Sequence, residues 1–272
     1  MNNANSCGRA LLAASLLTML ALTATNQDAI AAKSQDSKKA RTVDGHPDLS
    51  GVWTNGDMGF VTPQKKADGS VCILCRDPAG PPPKLPLSSR PKYKPEFVKK
   101  VADLNKRQVQ MDKTLNCGNP GLPRIGPPDA IVQTPGQVVF LYDDLSGSFF
   151  RMIPTDGRPH LADSEESYLG DSVGKWEGDT LVIEAVRFID DFWLMDNGAF
   201  HSPALKVTER LKRVGDTIEY QATADDPGVL LEPWSLLPRK LQLSDKPLAE
   251  PIPCVENDLD HVVDGTHHDN PR

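Results

Sequence analysis

The chain has 272 residues, of which 25% are charged, and its formal net charge is −7. This acidic balance disfavours nucleic acid and anionic membrane surfaces as partners, because both carry negative charge themselves. Residues 46–257 have the length of one β domain, since barrels and sandwiches commonly reach that size.

Residues 1–31 have the pattern of a cleavable export signal. Arg9 supplies the positive charge, residues 10–25 form the apolar segment, and Ala29-Ile30-Ala31 fits a small-x-small cleavage site. The apolar segment is too short to span a membrane comfortably, and no later stretch approaches the roughly 20 apolar residues that a spanning helix needs. We therefore expect a periplasmic or secreted protein without membrane insertion.

Two flexible segments are expected on either side of the domain. Residues 32–45 are polar and basic, which is typical of a linker, and residues 258–272 are typical of a solvated tail. The tail contains three histidines, which can bind metal adventitiously, although a frayed end is the simpler interpretation. The remaining residues, 46–257, are expected to form one domain.

Four cysteines follow the export signal, an even number that suits an oxidising compartment. They are Cys72, Cys75, Cys117 and Cys254. Arg76 stands where a haem attachment site needs histidine, and a redox motif would need a βαβ setting. A zinc site stays open, although closed sites usually contain two tight spacings. We predict disulfides Cys117–Cys254 and Cys72–Cys75, while spacing alone permits about three pairings.

From residue 130 onward, alternating polar and apolar residues predict an antiparallel meander. The predicted strands cover residues 130–133, 137–142, 148–153, 173–177, 180–188, 205–214, 217–223 and 234–243. Gly178-Asp179 and Gly215-Asp216 suit the tight turns of hairpins. Evenly spaced strands with short turns predict a mainly β protein, an antiparallel barrel or a highly curved sheet.

Three further segments complete the predicted fold. Gly51-x-Trp53 is expected to open a short strand, and it is similar to the first strand of lipocalin-like barrels, where the Trp plugs the closed end. Apolar residues at helical spacing predict one covering α-helix at residues 95–113. Residues 78–95 are rich in proline and predict a long extended coil.

Several motifs resemble those of a large, mostly uncharacterised family of exported bacterial lipocalin-like β-barrel proteins. They are Ile131-Val-Gln-Thr-Pro-Gly-Gln137, Asp156-Gly-Arg-Pro-His160, Gly174-Lys-Trp-Glu-Gly-Asp-Thr-Leu-Val182, Val207-Thr-Glu-Arg210, Cys117-Gly-Asn-Pro-Gly-Leu-Pro-Arg124 and Cys254-Val-Glu-Asn257. The resemblance covers roughly residues 46–257 and implies the barrel fold, but no activity. The chain departs from the family pattern at Leu161, where proline is frequent, and in the Cys72–Cys75 insert.

One loop concentrates groups that could perform chemistry. Asp156, Arg158 and His160 lie in a single Gly/Pro turn. A carboxylate beside an imidazole can set its tautomer and raise its basicity, and an arginine can hold an anionic group or oxyanion. The structural alternative is a turn in which Arg158 braces a carboxylate and His160 bonds the backbone.

Neighbouring loops supply further candidates. Tyr168, Asp171 and His201 could meet the same loop at a barrel mouth. Phe192 and Trp193 suit an aromatic ligand there, although core packing is the default role of such residues. Glu209 and its neighbour on the predicted strand face opposite sides, so Glu209 pointing inward would be a buried ion pair or a pocket acid.

These residues lead to a function by elimination. The sequence contains no His-x-His or His-Glu-x-x-His metal spacing, no Gly-x-Ser-x-Gly elbow, no phosphate loop and no dinucleotide fingerprint. We therefore expect no metal and no cofactor, and no oligomer is indicated. The favoured hypothesis is a lyase or isomerase that acts by acid–base chemistry on a small apolar molecule, with an aromatic one favoured.

The roles in this hypothesis are assigned as follows. His160 or His201 acts as the base, Arg158 or Tyr168 as the electrophilic partner, and Asp156 supports the imidazole. Substrate contacts are expected from Asp171, Phe192, Trp193 and Glu209. Two alternatives need no chemistry: a carrier for a small apolar ligand, and a structural protein of the cell envelope.

Overall fold

The computed structural model describes residues 41–55, 64–65, 71–72, 90–144, 146–248 and residue 254. The predicted export signal, the tail and most of the predicted linker and proline-rich coil lie outside the described residues. The same holds for Cys75, and with it for the predicted Cys72–Cys75 bridge. No helix in the described ranges has the length and apolar character needed to cross a membrane.

Antiparallel strands make up most of the regular secondary structure in the described residues. They are β1 (Gly51–Thr54), β2 (Gln64–Lys65), β3 (Val71–Cys72), β4 (Ala130–Thr134), β5 (Gln137–Asp144), β6 (Gly147–Pro154), β7 (Asp171–Glu177), β8 (Thr180–Val186), β9 (Lys206–Val214), β10 (Thr217–Asp225), β11 (Trp234–Ser235) and β12 (Arg239–Ser244).

One large sheet curls into a nearly closed barrel. Its strand order is β6-β5-β4-β1-β12-β10-β9-β8-β7, with β11 beside β10, while β2 and β3 form a separate small sheet. The outermost strands β6 and β7 approach each other: a Cβ atom built on Gly174 of β7 would lie 3.2 Å from Ile153 Cγ2 of β6. The prediction of a mainly β antiparallel barrel is confirmed.

The hairpin turns form where the sequence predicts them. Gly178 and Gly215 have φ angles of 61° and 63°, a region that glycine enters without steric penalty. The predicted strand at residues 234–243 is divided, because Pro238 has no N–H to donate to a neighbouring strand. The predicted strand at residues 180–188 ends at Val186, since Arg187 has a φ of 63°.

The prediction of one continuous helix at residues 95–113 is wrong, because the segment is divided. The segment contains a 3-10 turn at Pro95–Phe97, helix α1 (Val98–Lys106), helix α2 (Gln108–Met111) and a second 3-10 turn at Lys113–Asn116. Asp112 is extended, with ψ 109°, and its side chain accepts a hydrogen bond from Thr114 N. This local bond replaces the next helical turn.

The two ends of the barrel differ in the size of the side chains that point inward. At the Trp53 end, which also holds the turns of residues 178–179 and 215–216, the layer from β7–β10 consists of Trp176, Leu181, Leu211 and Tyr220. The middle layer consists of Gly174, Ile183, Glu209 and Ala222. At the opposite, His201 end, the layer consists of Ser172, Ala185, Val207 and Ala224. These four small side chains are buried, so larger side chains from other elements cover this layer.

The side chain of Trp53 closes the end of the barrel that is named after it. Its side chain is buried, its Nε1 donates a hydrogen bond to the Leu49 carbonyl oxygen at 2.9 Å, and the Arg213 guanidinium lies 5.4 Å from its ring centroid. Outside this barrel, Cys117 and Cys254 form the predicted long-range disulfide, with a Cα–Cα distance of 5.7 Å.

Candidate functional site

The ionisable residues expected in one pocket fall into three groups of contacts. The groups are Asp156 with Arg158, His160 with Asp171, and Tyr168 with the surroundings of His201. Within the part of the chain that the structure describes, no hydrogen bond or ion pair joins one group to another. The groups also differ in burial, which separates structural from chemical roles.

Asp156 and Arg158 form a local ion pair in solvent. Arg158 Nε donates to both carboxylate oxygens, at 2.9 and 3.1 Å, and both side chains are more than one-third exposed. The hydrogen bonds from Arg158 hold the pKa of Asp156 at about 2. Thr155 N donates to the Gly136 carbonyl oxygen nearby, which places the pair at the Trp53 end. The contacts match the structural alternative, a braced turn.

His160 lies on the outer face of the barrel. Its Nδ1 is 2.8 Å from Asp171 Oδ2, and because a carboxylate only accepts, Nδ1 carries the proton. Its Nε2 is 3.5 Å from Glu184 Oε1, and Lys206 Nζ is 3.6 Å from the other oxygen of that carboxylate. Glu184 alternates along β8 with buried Ile183 and therefore points outward. His160 thus fastens the loop after β6 to the outer wall.

His201 is the buried histidine, with 3% of its surface exposed. Its Nδ1 lies 2.9 Å from the Ser202 carbonyl oxygen, which only accepts, so Nδ1 carries the proton. Burial lowers the pKa of His201 and keeps the ring neutral at pH 7. Nε2 is therefore a free base, and it is buried without a hydrogen-bond partner among the described residues.

Aromatic rings and a carboxylate surround His201. The Phe192 ring centroid is 4.3 Å from the imidazole and the Phe188 centroid 6.4 Å. Tyr168 lies 6.2 Å from Phe192, and its hydroxyl donates to Asp191 Oδ2 at 3.3 Å. Burial and this bond raise the pKa of Tyr168, so the phenol keeps its proton. We call these five residues the His201 cluster.

Trp193 packs elsewhere. It is buried and bridges Phe200 through the backbone, as expected for the core-packing alternative. Of the aromatic residues assigned to substrate contacts, only Phe192 lies against His201.

A second polar group lies inside the barrel. Arg151 on β6 forms an ion pair with Glu209 on β9 through Nη2 and Oε2, and their side chains are 3% and 0% exposed. Tyr220 donates a hydrogen bond to the other oxygen, Oε1, at 2.9 Å. Glu209 therefore points inward as an ion-pair partner, one of the two roles predicted for it.

Several polar atoms of this interior group have no partner. Arg151 Nε and Nη1, the Tyr142 hydroxyl and Ser172 Oγ are buried without a hydrogen bond to any described residue. Burial raises the pKa of Tyr142. The Phe140 ring lies beside both Tyr142 and Arg151, because its centroid is 6.3 Å from that of Tyr142 and 5.3 Å from the Arg151 guanidinium. We call Arg151, Glu209, Tyr142 and Tyr220 the interior quartet.

The sequence predictions missed Arg151 and Asp191. Arg151 could have been found from the strand pattern, because it alternates with Phe149 and Ile153 on the apolar face of β6. Nothing in the pattern around Asp191 distinguishes it from the exposed acids of a loop. Among the described residues, no three His, Cys, Asp or Glu side chains are arranged to hold a metal ion.

Comparison of the chain with models of protein families, with curated proteins and with solved structures gives no match. The resemblance to the exported lipocalin-like family therefore stays a prediction that rests on the motifs quoted above.

Proposed function

We propose that the protein is a cofactor-independent acid–base enzyme, a lyase or isomerase, that takes a small aromatic molecule at the His201 end of the barrel. One observation carries this proposal: a buried, neutral histidine has its basic nitrogen free of any partner in the described chain and packs against Phe192. A free imidazole nitrogen beside aromatic walls is suited to remove a proton from an apolar substrate.

The proposed step moves one proton. His201 Nε2 takes a proton from a carbon of the substrate, and the electron pair left behind shifts onto a substrate oxygen or expels a leaving group. Asp190, Asp191 and Asp226 act to raise the pKa of His201 against the effect of burial, so they favour the imidazolium as it forms. The proton then returns to another carbon or leaves with the expelled group, and the base is restored.

Tyr168 is proposed as the electrophilic partner. Its raised pKa keeps the hydroxyl protonated, so that it can donate a hydrogen bond to an oxygen on which charge develops. Asp191 Oδ2 accepts this hydroxyl in the structure, and Asp191 Oδ1 is buried without a partner in the described residues. Exchange of the acceptor from Asp191 to the substrate would place Tyr168 in the reaction.

A carrier is the second candidate function. The observation that favours it is the aromatic surroundings of His201: the Phe192 and Phe188 ring centroids lie 4.3 and 6.4 Å from the imidazole. Such walls bind an aromatic molecule through apolar contact alone, without any proton transfer.

Exchange of carbon-bound hydrogen separates the two functions before the natural substrate is known. The purified protein is incubated in D₂O with aromatic ketones that carry acidic C–H groups, and deuterium uptake is followed by proton NMR. We expect catalysed exchange, and His201→Gln should slow it by roughly a hundredfold or more, the scale of a general base. His160→Gln is the matched control, because that ring lies on the outer wall, and it should exchange like the wild type.

Two outcomes would contradict the enzyme. Exchange at equal rates in both histidine variants would remove His201 from the chemistry. Binding of the ketones without any catalysed exchange would contradict the enzyme and favour the carrier function.

We propose, in addition to the acid–base function, that the protein is exported. The Cys117–Cys254 disulfide supports this, because disulfides persist in oxidising compartments such as the periplasm. Sequencing the N-terminus of protein taken from the cell envelope should find a start near residue 32, whereas a mature chain beginning at Met1 would contradict export.

A further inference from the structure

We propose that the interior quartet selects the ligand: the barrel binds a neutral aromatic molecule that carries a hydrogen-bond acceptor oxygen, such as an aromatic ketone or aldehyde. This inference rests on the proposed function only in assuming that a small molecule enters at the His201 end. It concerns binding, and it holds whether His201 transfers protons or not.

Arg151 presents hydrogen-bond donors that have no acceptor among the described residues. Its side chain is 3% exposed, and one nitrogen, Nη2, is engaged with Glu209. Nε and Nη1 are buried with no acceptor in the described chain. A buried donor without an acceptor is strongly disfavoured, and most such groups in folded proteins have a partner. The unused edge of the guanidinium therefore calls for an acceptor inside the barrel.

The second step is charge. Arg151 and Glu209 carry opposite charges and form a neutral pair in the barrel interior. A carboxylate ligand would add a buried negative charge without a counter-charge in the pair, and an uncompensated buried charge is strongly unfavourable. A neutral carbonyl or ether oxygen satisfies the free donors without that penalty. The quartet thus favours a neutral acceptor over an anion.

The third step is position along the barrel. Glu209 belongs to the middle layer, and the next layer toward the His201 end is the small one that includes Ser172, Ala185 and Ala224. Phe188 follows on β8's continuation beyond Ala185 and contacts His201. Ser172, Ala185 and Ala224 are 5%, 0% and 0% exposed, so the ring of a ligand whose oxygen meets Arg151 must open space between these side chains and the His201 cluster as it enters. Ser172 Oγ, also buried without a described partner, lies along this path.

Tyr142 and Tyr220 provide a matched pair of variants for the test. Both hydroxyls belong to the quartet, but the Tyr220 hydroxyl is bonded to Glu209 and the Tyr142 hydroxyl has no partner in the described residues. Tyr142→Phe removes only an unused group, so it is expected to fold. Tyr220→Phe removes a bond within the protein and leaves the unused polar atoms in place.

The experiment compares three probes of similar size: acetophenone, which has a neutral acceptor, benzoate, which is anionic, and ethylbenzene, which has neither feature. Each is titrated by calorimetry or NMR at pH 7 into wild type, Tyr142→Phe and Tyr220→Phe. We expect wild type to bind acetophenone about five- to tenfold more tightly than ethylbenzene, the scale of one net hydrogen bond, and more tightly than benzoate. Tyr142→Phe should weaken acetophenone several-fold and leave ethylbenzene unchanged.

Other outcomes would overturn the inference. They are tightest binding of benzoate, equal affinity for acetophenone and ethylbenzene in wild type, an unchanged ratio in Tyr142→Phe, or no binding of any probe. Equal affinity would show that the ligand's oxygen forms no bond with the Arg151 donors. Equal binding of acetophenone and ethylbenzene next to His201 leaves the proposed function intact. A preference for acetophenone in a protein whose His201→Gln variant exchanges deuterium like the wild type contradicts only the enzyme.

Discussion

Among the described residues, two arginine–carboxylate pairs are buried, and they differ in how completely they are bonded. Arg124 meets Asp112 with two nitrogens on two oxygens, at 2.7 and 2.8 Å. Asp112 also accepts from Gln108 Nε2 at 3.3 Å and from Thr114 N at 3.2 Å. This pair ties the helical segment to the loop of the Cys117–Arg124 motif, and its carboxylate has no capacity left for a ligand.

The pair inside the barrel is open by comparison. Arg151 contacts Glu209 with one nitrogen, and two further guanidinium nitrogens are buried without an acceptor among the described residues. A buried ion pair is weak support for stability, because removing the charges from water offsets their attraction. The closed pair is explained by architecture alone, whereas the open pair is not, and for this reason we connect the open pair with binding.

Removing one partner should have the largest effect and should not distinguish the pairs. Asp112→Asn and Glu209→Gln each leave a buried guanidinium without its counter-charge, and each should lower the free energy of unfolding by about 3–5 kcal/mol. Urea unfolding measures this. Arg210→Gln is the control, because Arg210 neighbours Glu209 on β9 but faces solvent and pairs with exposed Glu177, so its change should stay within about 1 kcal/mol. A similarly small loss in Glu209→Gln would contradict the buried pair.

Replacing whole groups by apolar residues should separate the pairs. The triple variant Arg151→Met, Glu209→Leu and Tyr220→Phe removes every charge and bonded hydroxyl of the open group, so its stability should return to within about 1 kcal/mol of wild type. Its preference for acetophenone over ethylbenzene should disappear in the same protein. A stability as low as that of Glu209→Gln alone would show that this interior needs its charges to fold.

The corresponding change at the closed pair should not restore stability. Arg124→Met with Asp112→Leu also removes the acceptor for Thr114 N and Gln108 Nε2. Loss of such a cap alone costs about 0.5–2 kcal/mol, so this variant should stay below the triple variant in urea unfolding. Equal recovery of both variants would remove the distinction between closed and open pairs.

The strands could be predicted from the sequence, but the break in the helical segment could not. The strands followed from alternation and from the Gly-Asp turns, because both are local features of the chain. The break at Asp112 could not be predicted, because apolar periodicity in residues 95–113 does not register the bond from Thr114 N to the Asp112 side chain, which ends the helical run. The pairing of Asp112 with Arg124 is likewise a contact that only the folded loop brings into place.

The candidate site divides in the same way. His201, Tyr168 and Phe192 were predicted from their residue types, and the fold brings them into one cluster. Asp156 and Arg158 have equally suggestive chemistry, yet they lie in solvent, because the loop after β6 runs along the outside of the barrel. Which side of a strand a loop crosses is a tertiary property that residue composition does not encode.

Acid should lower the free energy of unfolding through His201, whose Nε2 is buried without a hydrogen-bond partner among the described residues. Its folded pKa is lowered by burial, so the unfolded chain binds the proton more strongly. The stability that depends on the neutral ring is complete above about pH 6.5 and is lost as the pH falls below that value. One proton permits a slope of at most about 1.4 kcal/mol per pH unit. Urea unfolding between pH 7.5 and 5 should show this decline, and His201→Gln should reduce it. An unchanged slope in that variant would contradict a buried neutral ring.

The smallest expected effect belongs to Tyr142, and it tests the open pair most directly. If its hydroxyl has no partner in the protein, as the described contacts show, then Tyr142→Phe removes a buried polar group that contributes no bond, and the free energy of unfolding should stay the same or rise, because the cost of burying that hydroxyl is removed. Tyr220→Phe removes a hydrogen bond to a charged carboxylate and should lower it by about 1.5–3 kcal/mol.

The contrast between these two tyrosines is informative because the substitutions are chemically identical and both rings are 2% exposed. Burial of the ring therefore cancels between them, and only the hydroxyl's partner differs. A loss in Tyr142→Phe as large as that in Tyr220→Phe would mean that the Tyr142 hydroxyl is bonded in the free protein, and the quartet would then resemble the closed pair. A neutral Tyr142→Phe that also binds acetophenone less tightly than wild type would instead show that this hydroxyl serves the ligand and not the fold.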